Sequence, residues 1–268
     1  MTFTAEWLAL REPADARARS AALVAALVGR ARRVVDLGAG TGANIRYLAP
    51  RLAGVREWLA VDRDERLLAA IGAPAGAKLA TLRLDLASRL ADVSLAEGDL
   101  VTASALLDLV SAAWLDRLAA RCAAARADVL FALTYDGRIE WLPPEDGDAL
   151  VRGLVNRHQL GDKGFGPALG PGAADAAAAA FVPAGYEVHT ARSDWALGPE
   201  SAALQRALLD GWSAAALAVA PESGAALHAW RLRRRALVDA GRSRVRVGHA
   251  DLAGRMRSTV SGSRYRQG

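Results

Sequence analysis

Residues 34–42, VVDLGAGTG, constrain the fold of this 268-residue chain more than any other segment. A short apolar run ends in an acid and a glycine turn with Gly38, Gly40 and Gly42, and ANIRYLAP then opens a helix. Strand, glycine turn, helix is the opening unit of a parallel α/β sheet. The glycines have a physical purpose. A ligand lying against the backbone at the carboxyl end of the first strand would collide with a Cβ, and the free amides at the helix start face the same crevice.

The rest of the chain extends that unit. Residues 14–30 read as one helix with Leu23, Ala26 and Leu27 on one face. The helix after the turn, 41–52, is expected to stop near Pro50. Strands are predicted over 57–62, 78–86, 99–110 and 127–135, with helices over 63–71 and about 112–125 between them. This alternation predicts a doubly wound, mostly parallel sheet. Residues 136–171 break the pattern with Gly, Pro and charge, and read as a substrate-covering insertion. A helix at 172–182, a strand at 185–197, two helices within 200–240 and a last strand at 244–252 close a single domain, 1–254. Residues 255–268 read as a basic, disordered tail.

Composition narrows the function classes. The net charge is +5. Arg255, Arg257, Arg264 and Arg266 supply most of it from the tail, so the body is close to neutral and nucleic acid is not the expected partner. Cys122 is the single cysteine, without disulfide partner or metal-ligand spacing to a histidine, and no metal is expected. No apolar run reaches the roughly 18 residues of a membrane span, and the first residues lack a signal-peptide pattern. The expectation is a cytoplasmic protein without membrane contact.

Two acids extend the glycine turn. Asp62 ends the second predicted strand, where a carboxylate accepts hydrogen bonds from ribose hydroxyls. Asp85 ends the third, where one accepts from an adenine amino group. Gly38, Gly40 and Ala43 also fit the dinucleotide pattern G-x-G-x-x-A, which keeps an NAD(P)-dependent reductase open. Asp36 before the glycines, a helix ahead of the first strand and the lack of a Tyr-x-x-x-Lys sequence weigh against it.

Together, VVDLGAGTGANIRYLAP, LAVDRDERLLAA, LRLDL and DLVTASALLDLVS resemble the successive motifs of the class I S-adenosylmethionine-dependent methyltransferases. The resemblance covers about 30–135, and 185–252 more loosely. It implies a Rossmann-like, seven-stranded sheet whose antiparallel last strand, 244–252, lies beside strand five. It implies S-adenosyl-L-methionine as cofactor, with Gly38, Gly40 and Gly42 against its methionine portion and Asp36 supporting the turn and the amino group. Asp62 takes the ribose, Arg63 packs beside the adenine, Asp85 and Leu86 meet the adenine edge, and Ser104 faces the sulfonium. Asp108 is left without a catalytic role, and His249 reads as structural.

The acceptor side rests on fewer signals. His158 and Tyr135 are the catalytic candidates, His158 because its ordinary pKa lies near neutrality. Lys163 and, if the N-terminal segment folds over the site, Trp7, Arg11 and Arg19 are candidate substrate contacts. Arg11 and Lys163 hint at an anionic small molecule. The expected function is methyl transfer to a small-molecule acceptor. RNA or protein acceptors, motivated by the Arg-rich tail and by Arg231, Arg233, Arg234 and Arg235, and a non-catalytic S-adenosylmethionine-binding protein are the alternatives.

Overall fold

The computed structural model describes residues 4–257. Its helices are α1 (Ala5–Ala18), α2 (Ala21–Ala25), α3 (Ala43–Leu48), α4 (Glu65–Ala69), α5 (Leu86–Arg89), α6 (Ala112–Ala125), α7 (Asp148–Gln159), α8 (Ala173–Phe181), α9 (Ala202–Val219) and α10 (Gly224–Asp239). Its strands are β1 (Arg33–Leu37), β2 (Glu57–Asp62), β3 (Lys78–Arg83), β4 (Asp99–Ser104), β5 (Asp128–Leu142), β6 (Tyr186–Arg192), β7 (Trp195–Leu197) and β8 (Arg244–Met256).

The sheet order is β3-β2-β1-β4-β5-β8-β6, with β7 also paired to β8. The first five strands are parallel, and β8 runs antiparallel to β5, β6 and β7. The expected antiparallel last strand therefore stands beside strand five. The sheet has eight strands rather than the expected seven, because 185–197 breaks at Ser193–Asp194 into β6 and β7, which meet different stretches of β8.

Alternation along β1 assigns the two faces. Val35 and Leu37 pack with Val101, Val129 and Phe131 against Trp114, Leu118 and Phe181 of α6 and α8. Val34 packs on the other face with Trp58, Ala60 and Leu100 against Leu23, Ile45 and Leu48 of α2 and α3. Buried strand residues on both faces mark a doubly wound sheet. Asp36 shares Val34's face and is buried beneath α3.

A third core, built from β5, β7 and β8 with α7, α9 and α10, lies beyond the parallel strands. Residues 136–142 extend β5, in which two register shifts bend the strand, and 148–159 are helix. The irregular part of the proposed insertion shrinks to two connections. Trp141 of β5 meets Trp212 and Trp230 edge-on at centroid distances of 5.3 and 5.6 Å, which anchors α9 and α10 to the strand.

Other boundaries also move. The single helix at 14–30 is two: α1 starts at Thr4, whose hydroxyl accepts from Trp7 N–H, and α2 restarts at Ser20, which caps Leu23 N–H. Strand three ends at Arg83, so Asp85 is the N-cap of α5 rather than a strand end. Residues 105–110, read as strand four, form a turn with a short 3₁₀ segment. Arg255 and Met256, assigned to the tail, belong to β8, while residues 258–268 lie outside the described residues. Among the described residues no helix is long and apolar enough to cross a membrane.

Candidate functional site

A pocket opens over the carboxyl ends of β1, β2 and β4 and the turn after β3. Gly38 and Gly40 form its floor, both with positive φ. A Cβ on Gly40 would come within 3.0 Å of Leu8 Cδ1 on α1, so the N-terminal helix lies across the turn. Gly42 caps α3 at φ +80°, and a Cβ there would sit 2.6 Å from Ile71 Cγ2. Gly42 thus serves the turn's packing and, unlike Gly38 and Gly40, does not line the pocket.

Asp62 holds this floor in place. Its Oδ2 accepts Gly40 N–H at 2.9 Å and its Oδ1 accepts Asp64 N–H at 3.0 Å. Each oxygen keeps a further lone pair for a ligand. Asp85 also lines the pocket and caps α5, accepting from Ala87 N–H and Ser88 Oγ. Leu86, Arg63, Ser104 and Phe165 complete the wall around these acids. Phe165 packs edge-on against Trp114, whose indole N–H donates to the Leu86 carbonyl at 2.7 Å.

The backbone at this edge is strained. Ala105 and Leu133, at the ends of the parallel stretches of β4 and β5, have φ of +51° and +57°. Such conformations cost about 1–3 kcal/mol each outside glycine and concentrate at functional sites. Asp251 of β8 accepts Leu133 N–H at 2.8 Å and Ser20 N–H at 2.8 Å, which ties the strained edge to the start of α2.

No family model matches the sequence, and no curated protein matches it. Solved structures do match. One is a putative type II methyltransferase from Anaeromyxobacter dehalogenans, 16% identical, with 89% of this chain and 96% of that chain covered and a TM-score of 0.52. Others are the YcgJ protein from Bacillus subtilis (13% identical, 88% and 97% covered, TM-score 0.48) and the cyclopropane synthase MmaA2 from Mycobacterium tuberculosis (13% identical, 87% and 82% covered, TM-score 0.45). The fold is that of the class I methyltransferases. At these identities the likeness concerns the fold alone, so the chemistry has to be argued from the site's own residues.

Within this methyltransferase fold, the anticipated residues divide. Gly38, Gly40, Asp62, Arg63, Asp85, Leu86, Ser104, Arg11 and Lys163 meet around one pocket. Asp36, Arg19, Trp7, Tyr135 and His158 are not part of its lining. Arg19, read as a substrate contact, is instead a buried structural cation. It donates to Asn44 Oδ1 and, at 2.8 Å, to Ser104 Oγ, and it stacks on the Tyr47 ring. Asn44 in turn donates to Asp36 Oδ1 at 2.6 Å and to Thr102 Oγ1 at 3.1 Å. This network lies on the α3 face of the sheet and supports the pocket floor from beneath.

Tyr135 is buried, donates its hydroxyl to Asn156 Oδ1 at 2.7 Å, and burial pushes its pKa up, which opposes a role as base. His158 lies on α7 and lines a separate cleft with Trp212. It reaches the main pocket only through Lys163, whose ammonium donates to the His158 carbonyl at 2.8 Å. Burial, with Lys163 nearby, lowers the His158 pKa. Trp7 packs half-buried against the third core. Arg11 does line the pocket, but its guanidinium is held by Asp15 at 2.9 and 3.2 Å and lies over the Trp195 ring.

The four α10 arginines behind the RNA alternative are paired, while the tail's Arg264 and Arg266 lie outside the described residues. Arg231 and Arg235 meet Asp210, Arg233 meets Glu145, and Arg234 is buried against Asp148. Among the described residues no group of three or more His, Cys, Asp or Glu is placed to hold a metal ion. The sequence reading gave Asp108 no catalytic role. It is buried beside the pocket, and its Oδ1 has no hydrogen-bond partner.

Asp36 supplies a pH prediction. Burial raises its pKa to about 7, against which the Asn44 hydrogen bond and Arg19 act only in part. The folded state therefore binds a proton that the unfolded state releases between about pH 4 and pH 7, and this contribution to stability is lost as pH rises through that window. Asp36→Asn removes the titration. The variant is expected to gain about 2–3 kcal/mol relative to wild type between pH 5 and pH 8. Urea melts across that range check it, and a difference independent of pH contradicts it.

Proposed function

We propose that this protein transfers a methyl group from S-adenosylmethionine to a small-molecule acceptor. The observation that carries the reading is the Asp62 carboxylate locked onto the Gly40 amide at the pocket floor, with lone pairs free for a nucleoside diol. Gly38 and Gly40 leave this part of the pocket lining without side chains, which suits a thin methionine chain lying along the backbone. Asp62 would hold the ribose, Asp85 and Leu86 the adenine edge, Arg63 the adenine face, and Gly38, Gly40 and Ser104 the methionine and sulfonium end. When bound, the cofactor supplies an activated methyl group on a positively charged sulfur. The chain's task is then to orient the acceptor and exclude water.

A small acceptor is favoured by the cover over the pocket. Helix α1 is held across it by Leu8 on the glycine turn and by the Glu12–Arg46 ion pair at 2.6 Å to α3. A pocket roofed in this way suits a molecule that enters it whole, and the ion pairs of the α10 arginines reduce the positive charge that face offers to RNA.

Thermal unfolding with S-adenosylmethionine, S-adenosylhomocysteine, NAD and NADP tests the reading. A ligand that binds only the folded state adds about 2.7 kcal/mol at 100 times its Kd. For a chain of this size that is a rise of roughly 5–10 °C. We expect it with the two adenosyl sulfur compounds. A rise only with NAD or NADP would favour the reductase, and no rise would remove the cofactor from the account.

A further inference from the structure

We infer that the methyl acceptor carries a carboxylate and that Lys163 binds it. The inference rests on the methyltransferase reading above and specifies the acceptor class for the same pocket.

Lys163 stands in the connection after α7 and lines the pocket. The chain around it is held in a tight turn. Asp162 Oδ1 accepts Gly164 N–H at 2.6 Å and Gly166 N–H at 3.0 Å, and both glycines have positive φ. The Lys163 ammonium donates to the His158 carbonyl at 2.8 Å and lies 3.3 Å from His158 Nδ1. With the His158 proton on Nε2, Nδ1 accepts a second N–H. An ammonium has three donors, so one is left for a ligand. Among the described residues no carboxylate forms an ion pair with Lys163. Burial lowers the Lys163 pKa, and Asp108, which makes no ion pair with it, acts in the opposite direction. A half-buried cation of this kind gains more from an anion than one in open water.

The polar lining of the pocket divides by position. Asp62, Asp64 and Asp85 line it at the ends of β2 and β3, where the nucleoside is placed. Arg11 and Lys163 line it from α1 and from the connection after α7, neither of which belongs to the sheet edge. Arg11 is already matched by Asp15 at 2.9 and 3.2 Å, so Lys163 is the cation left to be balanced at this end. Leu8, Leu106, Leu109 and Phe165 line the same pocket and give the acceptor's body apolar surface. A carboxylate brings one negative charge and an acceptor for the remaining N–H, and charge-assisted hydrogen bonds are the strong ones. A dianionic phosphate calls for more donors than Lys163 has left, and a protonated amine would meet Lys163 as a like charge. The cofactor has a carboxylate of its own, on the methionine portion placed against Gly38 and Gly40, and the test separates the two sources.

The test measures binding without turnover. Wild type, Lys163→Met and Lys78→Met, each saturated with S-adenosylhomocysteine, are titrated with benzoate, benzamide and benzylammonium by ligand-observed NMR. Lys78→Met removes the same charge from exposed β3, outside the pocket, and controls for net charge. Wild type is expected to bind benzoate about tenfold or more tightly than benzamide, its uncharged counterpart. That preference is expected to fall below about twofold in Lys163→Met and to persist in Lys78→Met, with S-adenosylhomocysteine affinity within about threefold of wild type in both. Benzoate bound no more tightly than benzamide by wild type overturns the inference, undetectable binding of both included. So does a preference that survives in Lys163→Met, an equal fall in Lys78→Met, or tighter binding of benzylammonium than of benzoate. A loss of S-adenosylhomocysteine affinity of about tenfold or more in Lys163→Met also overturns it, by assigning the ammonium to the cofactor's carboxylate. If Lys163→Met fails to fold, the wild-type comparison still decides. Failure of wild type to bind S-adenosylhomocysteine at all refutes the cofactor reading instead.

Discussion

Asp148→Ala is expected to lower folding stability by about 3–5 kcal/mol, the range found when one partner of a buried ion pair is removed. Asp148 begins α7 and is the acceptor for three groups from elsewhere. Arg234 donates to it through Nε at 2.9 Å and through Nη2, Trp230 through its indole N–H at 2.8 Å, and the Glu145 amide closes the turn at 2.9 Å. Arg234 is fully buried, with its remaining Nη1 donating to the Pro143 carbonyl at 2.7 Å. Without Asp148 a buried guanidinium is left over the Trp141 ring with no carboxylate. For a chain of this length the loss corresponds to a fall in Tm of roughly 10–15 °C. Arg234→Met is expected to cost less, because the Asp148 side chain is 18% exposed and can hydrate once the cation is gone. Thermal and urea melts of the two variants check the order. A loss below 1 kcal/mol for Asp148→Ala would mean that the α7–α10 contact does not organise the third core.

The second large effect concerns the pocket. Asp62→Ala is expected to weaken S-adenosylmethionine binding about a hundredfold. Two hydrogen bonds from ribose hydroxyls to a carboxylate are lost, and hydrogen bonds to charged groups are worth about 1.5–3 kcal/mol each. The Gly40 and Asp64 amides lose their acceptor as well, so the floor loosens. Asp62→Asn separates the two effects. An amide oxygen can keep one of the backbone contacts, so the loss is expected to be intermediate. Calorimetric titration of both variants measures it, and an Asp62→Ala affinity within threefold of wild type contradicts the assigned role.

What was legible in the sequence follows the range of the forces involved. The strand–turn–helix at 34–48 needs only local information: β-branched residues, then glycines where φ is positive, then helix formers. Its position was read correctly, as were the parallel strands and the insertion of 244–252 beside strand five. Helix α1 begins nine residues before the start that periodicity predicts, at Ala5 and not at residue 14. Only Ala14 and Asp15 among its residues are buried, so it lacks an apolar stripe, and Pro13 lies inside it. Gly137 and Pro143 punctuate residues 136–142 and locally predict a loop. Pairing with β8, such as Ile139 to Val247, makes them strand, and a contact so distant in sequence leaves no local signature.

The site divides along the same line. Glycines and strand-end acids announce themselves by spacing, so most of the anticipated cofactor residues gather in one pocket. Polar residues on the acceptor side do not. Arg19 looks like any surface arginine until Asn44 and Ser104 are seen to enclose it. His158 drew attention for its chemistry, yet it faces a different cleft. Asp108 sits in an apolar run, LLDLV, and reads as a helix cap. Its burial and unpartnered oxygen emerge only in the folded chain.

The central claim is tested most directly by titrating S-adenosylhomocysteine into the wild-type protein by calorimetry, with NAD as the comparison. The account predicts one site per chain, micromolar or tighter affinity, and no heat of binding from NAD. Absence of binding by S-adenosylhomocysteine, or saturation by NAD in its place, would contradict it.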